Sequence, residues 1–185
     1  AELNLGRLLL DRKQPGEAIP LLSAAAAGKP LEFRPNFYLA EALLAAGDLP
    51  KAEEHYLICA GAEPGSAAVQ AGLARARARQ GRLEDAEVAF RKAAALDGVY
   101  KEAILELAAL YEDKGDLDKA IEIYAEFPEH AAAAEHRAIL LIRTGKPAEA
   151  APLLERLLAG EPGNAALRLT YGRVLSIDKE QVYAH

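Results

Sequence analysis

GRLEDAEVAFRKA, running from Gly81 to Ala93, holds the frame on which the reading of this chain turns: a glycine, a few polar residues, an alanine, three residues, then a large apolar side chain. Its alanine is Ala86, and the same frame, opened by glycine or proline, surrounds Ala18, Ala52, Ala120 and Ala150. Successive members lie 34, 34, 34 and 30 residues apart. Self-similarity at such a period marks a stacked repeat architecture, and one helical hairpin fits within each period.

Other columns keep the register. Twelve residues before each alanine stands another small residue, Gly6, Ala40, Ala74, Ala108 or Ala138, and Leu5, Leu39, Leu73 and Leu107 directly precede the first four. Four residues after the alanine comes Leu22, Tyr56, Phe90, Tyr124 or Leu154; seven after it come the small residues Ala25, Cys59 and Ala93. Gly47, Gly81, Gly115 and Gly145 mark where a first helix must stop and turn, and Pro30, Pro64 and Pro162 close three units. Small residues at two fixed places let two helices approach closely while the aromatic or leucine fills the gap beside them. A single hairpin cannot bury that face alone, so neighbouring hairpins must stack.

Together these residues resemble the tetratricopeptide repeat over nearly the whole chain. The resemblance implies an all-α, right-handed α-solenoid of antiparallel helix pairs. It divides one elongated domain into units at about 1–32, 33–66, 67–100, 101–130 and 131–164, with a partial sixth at 165–185. The chain departs from the family's pattern where an aromatic often opens a unit: Asn36, Gln70, Ile104 and Ala134 stand there, and there is no Trp. Arg77 and Arg137 occupy columns that are otherwise apolar, so their stems are expected to pack and their heads to reach solvent.

Within the units, Pro15 is expected to open the second helix of the first, and Asp48 to cap the second helix of the next through its carboxylate. The third unit carries Arg75, Arg77, Arg79, Arg82, Arg91 and Lys92 against four acids, and helical geometry sets Arg75, Arg79 and Arg82 on one face with Arg77 nearly opposite. The fourth unit is strongly acidic, with Glu102, Glu106 and Asp113 on a face adjacent to that arginine stripe. It is also one helical turn short and should end its second helix near Phe127-Pro128, with a local change of curvature. Leu167 to Ile177 reads as the first helix of the sixth unit, and Ser176 to His185 as a short extra helix covering the stack's end.

Net charge is −6 at pH 7 and the pI about 5.3, which disfavours nucleic acid and membrane surfaces, both of which need a basic footprint. No run of eighteen apolar residues is present, so no membrane insertion is expected. The single cysteine, Cys59, excludes an internal disulfide and falls in a packing column, where an inert role is expected. No phosphate loop, dinucleotide fingerprint, nucleophile elbow or paired-cysteine motif occurs, and no cofactor is expected. The histidines His55, His130, His136 and His185 are scattered, and the six-residue spacing of His130 and His136 does not suit two metal ligands on one helix face. With no Met and an opening inside a helix, the chain reads as an excerpt or a trimmed product, and its Ala, Arg, Gly and Pro richness reads as bacterial. Nothing fixes its compartment.

In the family, the first helix of each hairpin lines a concave groove that takes peptide. By register this implies a groove of Leu3, Arg7, Arg34, Phe37, Glu41, Leu44, Arg75, Arg79, Glu102, Leu105, Ala109, Asp113, Glu135, Ile139, Ile142 and Arg143, with Phe37 as anchor. Some members grip a C-terminal carboxylate with Lys and Asn. Leu3 and Arg7, Phe37 and Glu41, and Ala71 and Arg75 stand at those columns, so that clamp is not expected. The implied function is a non-catalytic scaffold binding a peptide or helical segment of another protein. The alternatives are the substrate-recruiting region of a larger enzyme, or a homo-oligomer formed through the C-terminal helix. The arginine and acidic stripes read either as ion pairs between repeats or as charged zones offered to a partner.

Overall fold

The structure, a computed structural model, describes residues 2–183, with side chains described as far as Ser176. Among these residues the chain forms eleven α-helices and one 3₁₀ turn, with no strand. It divides into two compact units, Ala1–Leu107 and Ala108–His185.

The first unit holds α1 (Glu2–Asp11), α2 (Pro15–Gly28), α3 (Phe33–Ala46), α4 (Leu49–Ala62), α5 (Ala67–Arg79) and α6 (Leu83–Leu96), then a 3₁₀ turn at Gly98–Tyr100. Each of these α-helices packs against the next, and α3 also touches α1 and α5, so the first helices of successive hairpins share one face. Helix α7 (Ala103–Lys114) carries the boundary, and the second unit continues with α8 (Leu117–Ala125), α9 (Ala131–Arg143), α10 (Pro147–Gly160) and α11 (Ala165–Tyr183). There α9 packs against α8 and α10, and α10 against α11.

The columns read from the sequence are the core. Ala18, Ala52, Ala86, Ala120 and Ala150 are all fully buried, as are Ala40, Ala74, Ala108 and Ala138 of the paired column. Leu22, Tyr56, Phe90, Tyr124 and Leu154 are buried beside them. The approach is closest where α4 meets α5: a Cβ on Gly72 would lie 2.3 Å from the Tyr56 ring, so only glycine lets that ring in. In the leucine column Leu39, Leu73 and Leu107 are buried, whereas Leu5 is exposed on α1, which no earlier helix among the described residues covers.

The turns obey one backbone rule. Gly47, Gly81, Gly115 and Gly145 take φ between 74° and 90°, the left-handed conformation that ends a helix without a Cβ clash. The first turn puts Lys13 in that role at φ 60°, at the usual cost for a residue with a side chain.

Four expectations are corrected. Asp48 precedes α4 but makes no capping bond; its carboxylate sits 2.8 Å from Lys51 Nζ, and that hydrogen bond holds its pKa below the ordinary value. Helices α5, α8 and α9 are instead capped by Ser66, Asp116 and His130, through Val69 N at 3.4 Å, Lys119 N at 3.4 Å and Ala133 N at 3.2 Å. Arg77 does not send its head into solvent, because its Nε donates to Glu53 at 2.8 Å, and Arg137 buries its Nε with no partner among the described residues. No separate helix follows Ser176: α11 runs unbroken from Ala165 to Tyr183, since neither Gly nor Pro interrupts it after Gly172, while 184 and 185 lie outside the described residues.

Helix α8 has 9 residues where α10 has 14. It stops before Phe127-Pro128 as the short unit requires, and Phe127 is buried there.

Candidate functional site

The first-helix face of the first unit carries the aromatic centre. Phe37 is half-buried on α3, stacked on Phe33 at a centroid distance of 5.5 Å and 9°. It meets Tyr38 and Tyr56 edge-on at 5.8 and 6.2 Å. Such geometry suits the ring quadrupole and holds the cluster rigid. The Tyr56 hydroxyl donates to Glu41. Burial first, then the Glu41 charge, raises the phenol's pKa far above its ordinary value, so Tyr56 stays a neutral donor.

The arginines beside this cluster are already engaged. Arg75 forks onto Glu106, with Nε 3.2 Å from Oε2 and Nη2 3.0 Å from Oε1, and these hydrogen bonds raise its pKa further. Arg79 Nη1 donates to the Leu44 carbonyl at 2.6 Å, at the C-terminal end of α3, where a cation satisfies an open helix end. The stripe predicted from spacing is therefore in part a tie between repeats. By contrast Arg7 and Arg34 are exposed and make no hydrogen bond or ion pair among the described residues. Glu102 is exposed ahead of α7, and Leu105 is half-buried on it.

Arg82 does not join Arg75 and Arg79. Helix α5 ends at Arg79, and Arg82 is the residue before α6. It turns to the opposite side and donates to Glu53 together with Arg77 and Gln80, the last at 3.1 Å. Glu53 is 14% exposed. Burial alone would raise its pKa, but the hydrogen bonds from Arg77 and Gln80 and the Arg82 charge hold it below the ordinary value. Sequence reading missed this carboxylate, whose only signal was an acid directly after the alanine column.

In the second unit the matching centre is Glu112 on α7. It accepts from Tyr124 at 3.5 Å, faces His136 Nδ1 at 3.2 Å, and pairs with Arg143 Nη1 at 3.6 Å. His136 stacks on Tyr124 at 5.3 Å. Burial, then Glu112, pushes the Tyr124 phenol up to about 12. Arg143 and the 40%-exposed Ile139 border a cavity of about 270 Å³ closed on its other side by Thr170, Arg173 and Val174 of α11. Asp113, Ala109 and Glu135 are exposed.

One further side chain bears on chemistry. Cys59 is fully buried against the Phe33 carbonyl, and burial pushes its thiol up to about 12, so the reactive thiolate is suppressed. Among the described residues no group of three or more His, Cys, Asp or Glu is placed to hold a metal ion, and no helix is long and apolar enough to cross a membrane.

Family comparison places residues 3–67, 79–140 and 141–176 in matches described as Tetratricopeptide repeat. A search of curated proteins finds no match. Among solved structures the chain is similar to MamA protein, at TM-score 0.73 and 22% identity over 89% of this chain and 92% of that one. It is similar to YrrB, described as a TPR protein with an unusual peptide-binding site, at TM-score 0.68 and 15% identity over 93% and 90%. TTC0263, a thermophilic TPR protein of Thermus thermophilus, aligns at TM-score 0.55 and 21% identity over 94% and 97%. Likeness at these identities speaks for the fold.

Proposed function

The chain belongs to the tetratricopeptide repeat family, and on that premise we propose that it is a non-catalytic scaffold taking a peptide or helical segment of another protein on its first-helix face. One observation carries this reading: the half-buried Phe37 is locked among Phe33, Tyr38 and Tyr56, beside the exposed Arg34, which has no ion-pair partner among the described residues. A rigid aromatic with free area and a neighbouring cation is the composition from which interface hot spots are built. Arg75 and Arg79 support the face by fixing α5 to its neighbours, and Arg7 and Arg34, exposed and without partners among the described residues, are cations open to a ligand.

Affinity capture from the source lysate tests it, comparing the wild type with Phe37→Ala and Arg34→Glu combined. These positions leave the repeat-to-repeat ties intact. A protein held by the wild type and lost by the folded variant supports the reading. Equal retention by both removes it.

A second reading, self-association through the C-terminal helix, is favoured by Leu169 and Leu175 of α11, which are 60% and 39% exposed. Light scattering across a concentration series tests it, and a monomer throughout counts against it.

A further inference from the structure

A cavity of about 280 Å³ opens between α2 and α4 over α3 in the first unit, away from the face that presents Phe37. Its polar centre is a pair whose protons are fixed by elimination. The Asn36 amide nitrogen lies 3.0 Å from the Pro30 carbonyl and 2.8 Å from the Glu32 carbonyl. Two carbonyl oxygens can only accept, so the atom facing them is the amide NH₂. The other amide atom, Oδ1, then faces His55 Nδ1 at 2.8 Å. An amide oxygen also only accepts, so Nδ1 carries the proton. Burial lowers the His55 pKa, which keeps the ring neutral near pH 7. Nε2 is thus left as a bare lone pair, with no partner among the described residues. A histidine held in one tautomer by a buried amide presents its other nitrogen as a fixed acceptor.

The surroundings select what that acceptor can meet. Ala26, Leu39 and Ile58 line the cavity, Ser23 is its other polar side chain, and no charged side chain lines it among the described residues, although the Glu54 charge acts on His55 from outside it. A charged ligand would be desolvated there with no counter-ion. The volume sits just under the usual range for small-molecule sites, about 300–1,000 Å³, which suits one ring system.

We propose that this cavity is a second binding site, independent of the first-helix face, for a neutral single-ring ligand bearing one O–H or N–H donor, a phenol or an indole, whose proton His55 Nε2 accepts. The apolar body of the ring fills the wall of Ala26, Leu39 and Ile58, and the one donor fixes its orientation. Asn36 is a positioning residue: it ties the α2–α3 connection to α3 and sets the histidine's tautomer, its polar atoms being engaged with the Pro30 and Glu32 carbonyls and His55.

Long-range proton–nitrogen spectra of the ¹⁵N-histidine-labelled full chain provide the test, with indole, phenol and toluene as probes. The free chain is expected to show His55 as the Nδ1–H tautomer. Indole and phenol should move the Nε2 resonance in a saturable way, and toluene, which lacks the donor, should bind about three- to tenfold more weakly. His55→Leu should abolish that preference while Phe37→Ala leaves it unchanged. N-acetyl-tryptophanamide separates the sources: binding like indole assigns the site to a partner's side chain, and exclusion assigns it to a free small molecule, either result upholding the chemistry. A free chain in the Nε2–H tautomer, an Nε2 resonance unmoved by indole, or toluene binding as well as indole would each overturn the proposal, and the first two need no variant to fold.

Discussion

Glu53 and Glu112 are both acids encircled by donors, yet they do different work. Glu53 is nearly closed off, accepts from Arg77 at 2.8 Å, and is also held by Gln80 and Arg82. Glu112 is only somewhat more exposed, but its partners Arg143 and His136 are half in solvent and stand 3.6 and 3.2 Å away. Close, shielded, multiply donated bonds to a carboxylate stabilise a fold, whereas long, wet pairs contribute little. The first centre therefore joins repeats, and the second leaves its cations near a surface where a ligand can compete for them.

The largest expected effect follows directly. Glu53→Ala should lower unfolding free energy by about 1.5–3 kcal/mol, since it leaves the shielded Arg77 without its partner and takes one bond each from Gln80 and Arg82, which keep the Ala76 carbonyl and Asp85, while Glu112→Ala should cost less than about 1 kcal/mol. Urea denaturation of both variants decides the matter, and equal losses would break the contrast.

Acid sharpens it next. Glu53 has a folded pKa below its ordinary 4.5, so its contribution is fully present above 4.5 and is lost as pH falls through the folded value. His55 adds an earlier decline. Its folded pKa lies below 6.5, so the unfolded chain binds the proton first and stability starts to fall beneath 6.5. Stability measured against pH should fall less steeply below 4.5 in Glu53→Gln, with the residual slope left to Asp48, and keep the decline that begins near 6.5; an acid limb identical to wild type would remove Glu53 from its role.

The smallest effect calibrates the others. Lys13 turns the chain at φ 60° where four glycines do so elsewhere, and Lys13→Gly should stabilise the fold by about 0.5–1 kcal/mol, the left-handed penalty less glycine's extra entropy. A variant melting below wild type would mean that the lysine stem contributes packing that outweighs its strain.

What the sequence made legible was whatever periodicity controls. The alanine column, the small-residue column twelve before it and the aromatic column are buried, and the turn glycines are left-handed, because close helix packing and helix termination admit few residue types at those places; the column seven after the alanine is buried at Cys59 and Ala93, but on α2 Ala26 rather than Ala25 is the buried residue. The ends of long side chains were not legible. Spacing puts Arg75 and Arg79 on one face, but whether their heads meet solvent, Glu106 or the Leu44 carbonyl depends on residues 31 and 35 positions away. Arg82 was misplaced because helical spacing was carried past the stop that Gly81 itself marks, and Asp48 because Lys51 competes with the helix end for its carboxylate. Asn36 was seen as a departure, while its bond to His55 spans 19 residues and has no local signature.

Cys59 gives the molecule a clock. It is the chain's one thiol, is sealed between α3 and α4, and has its ionisation suppressed by burial, so an alkylating reagent can reach it only in the instants when that hairpin parts. The rate of modification under native conditions then reads the free energy of a local opening rather than of global unfolding. With no second cysteine to confuse the signal, ligand occupancy on either side of the hairpin can be followed as a slowing of one chemical reaction.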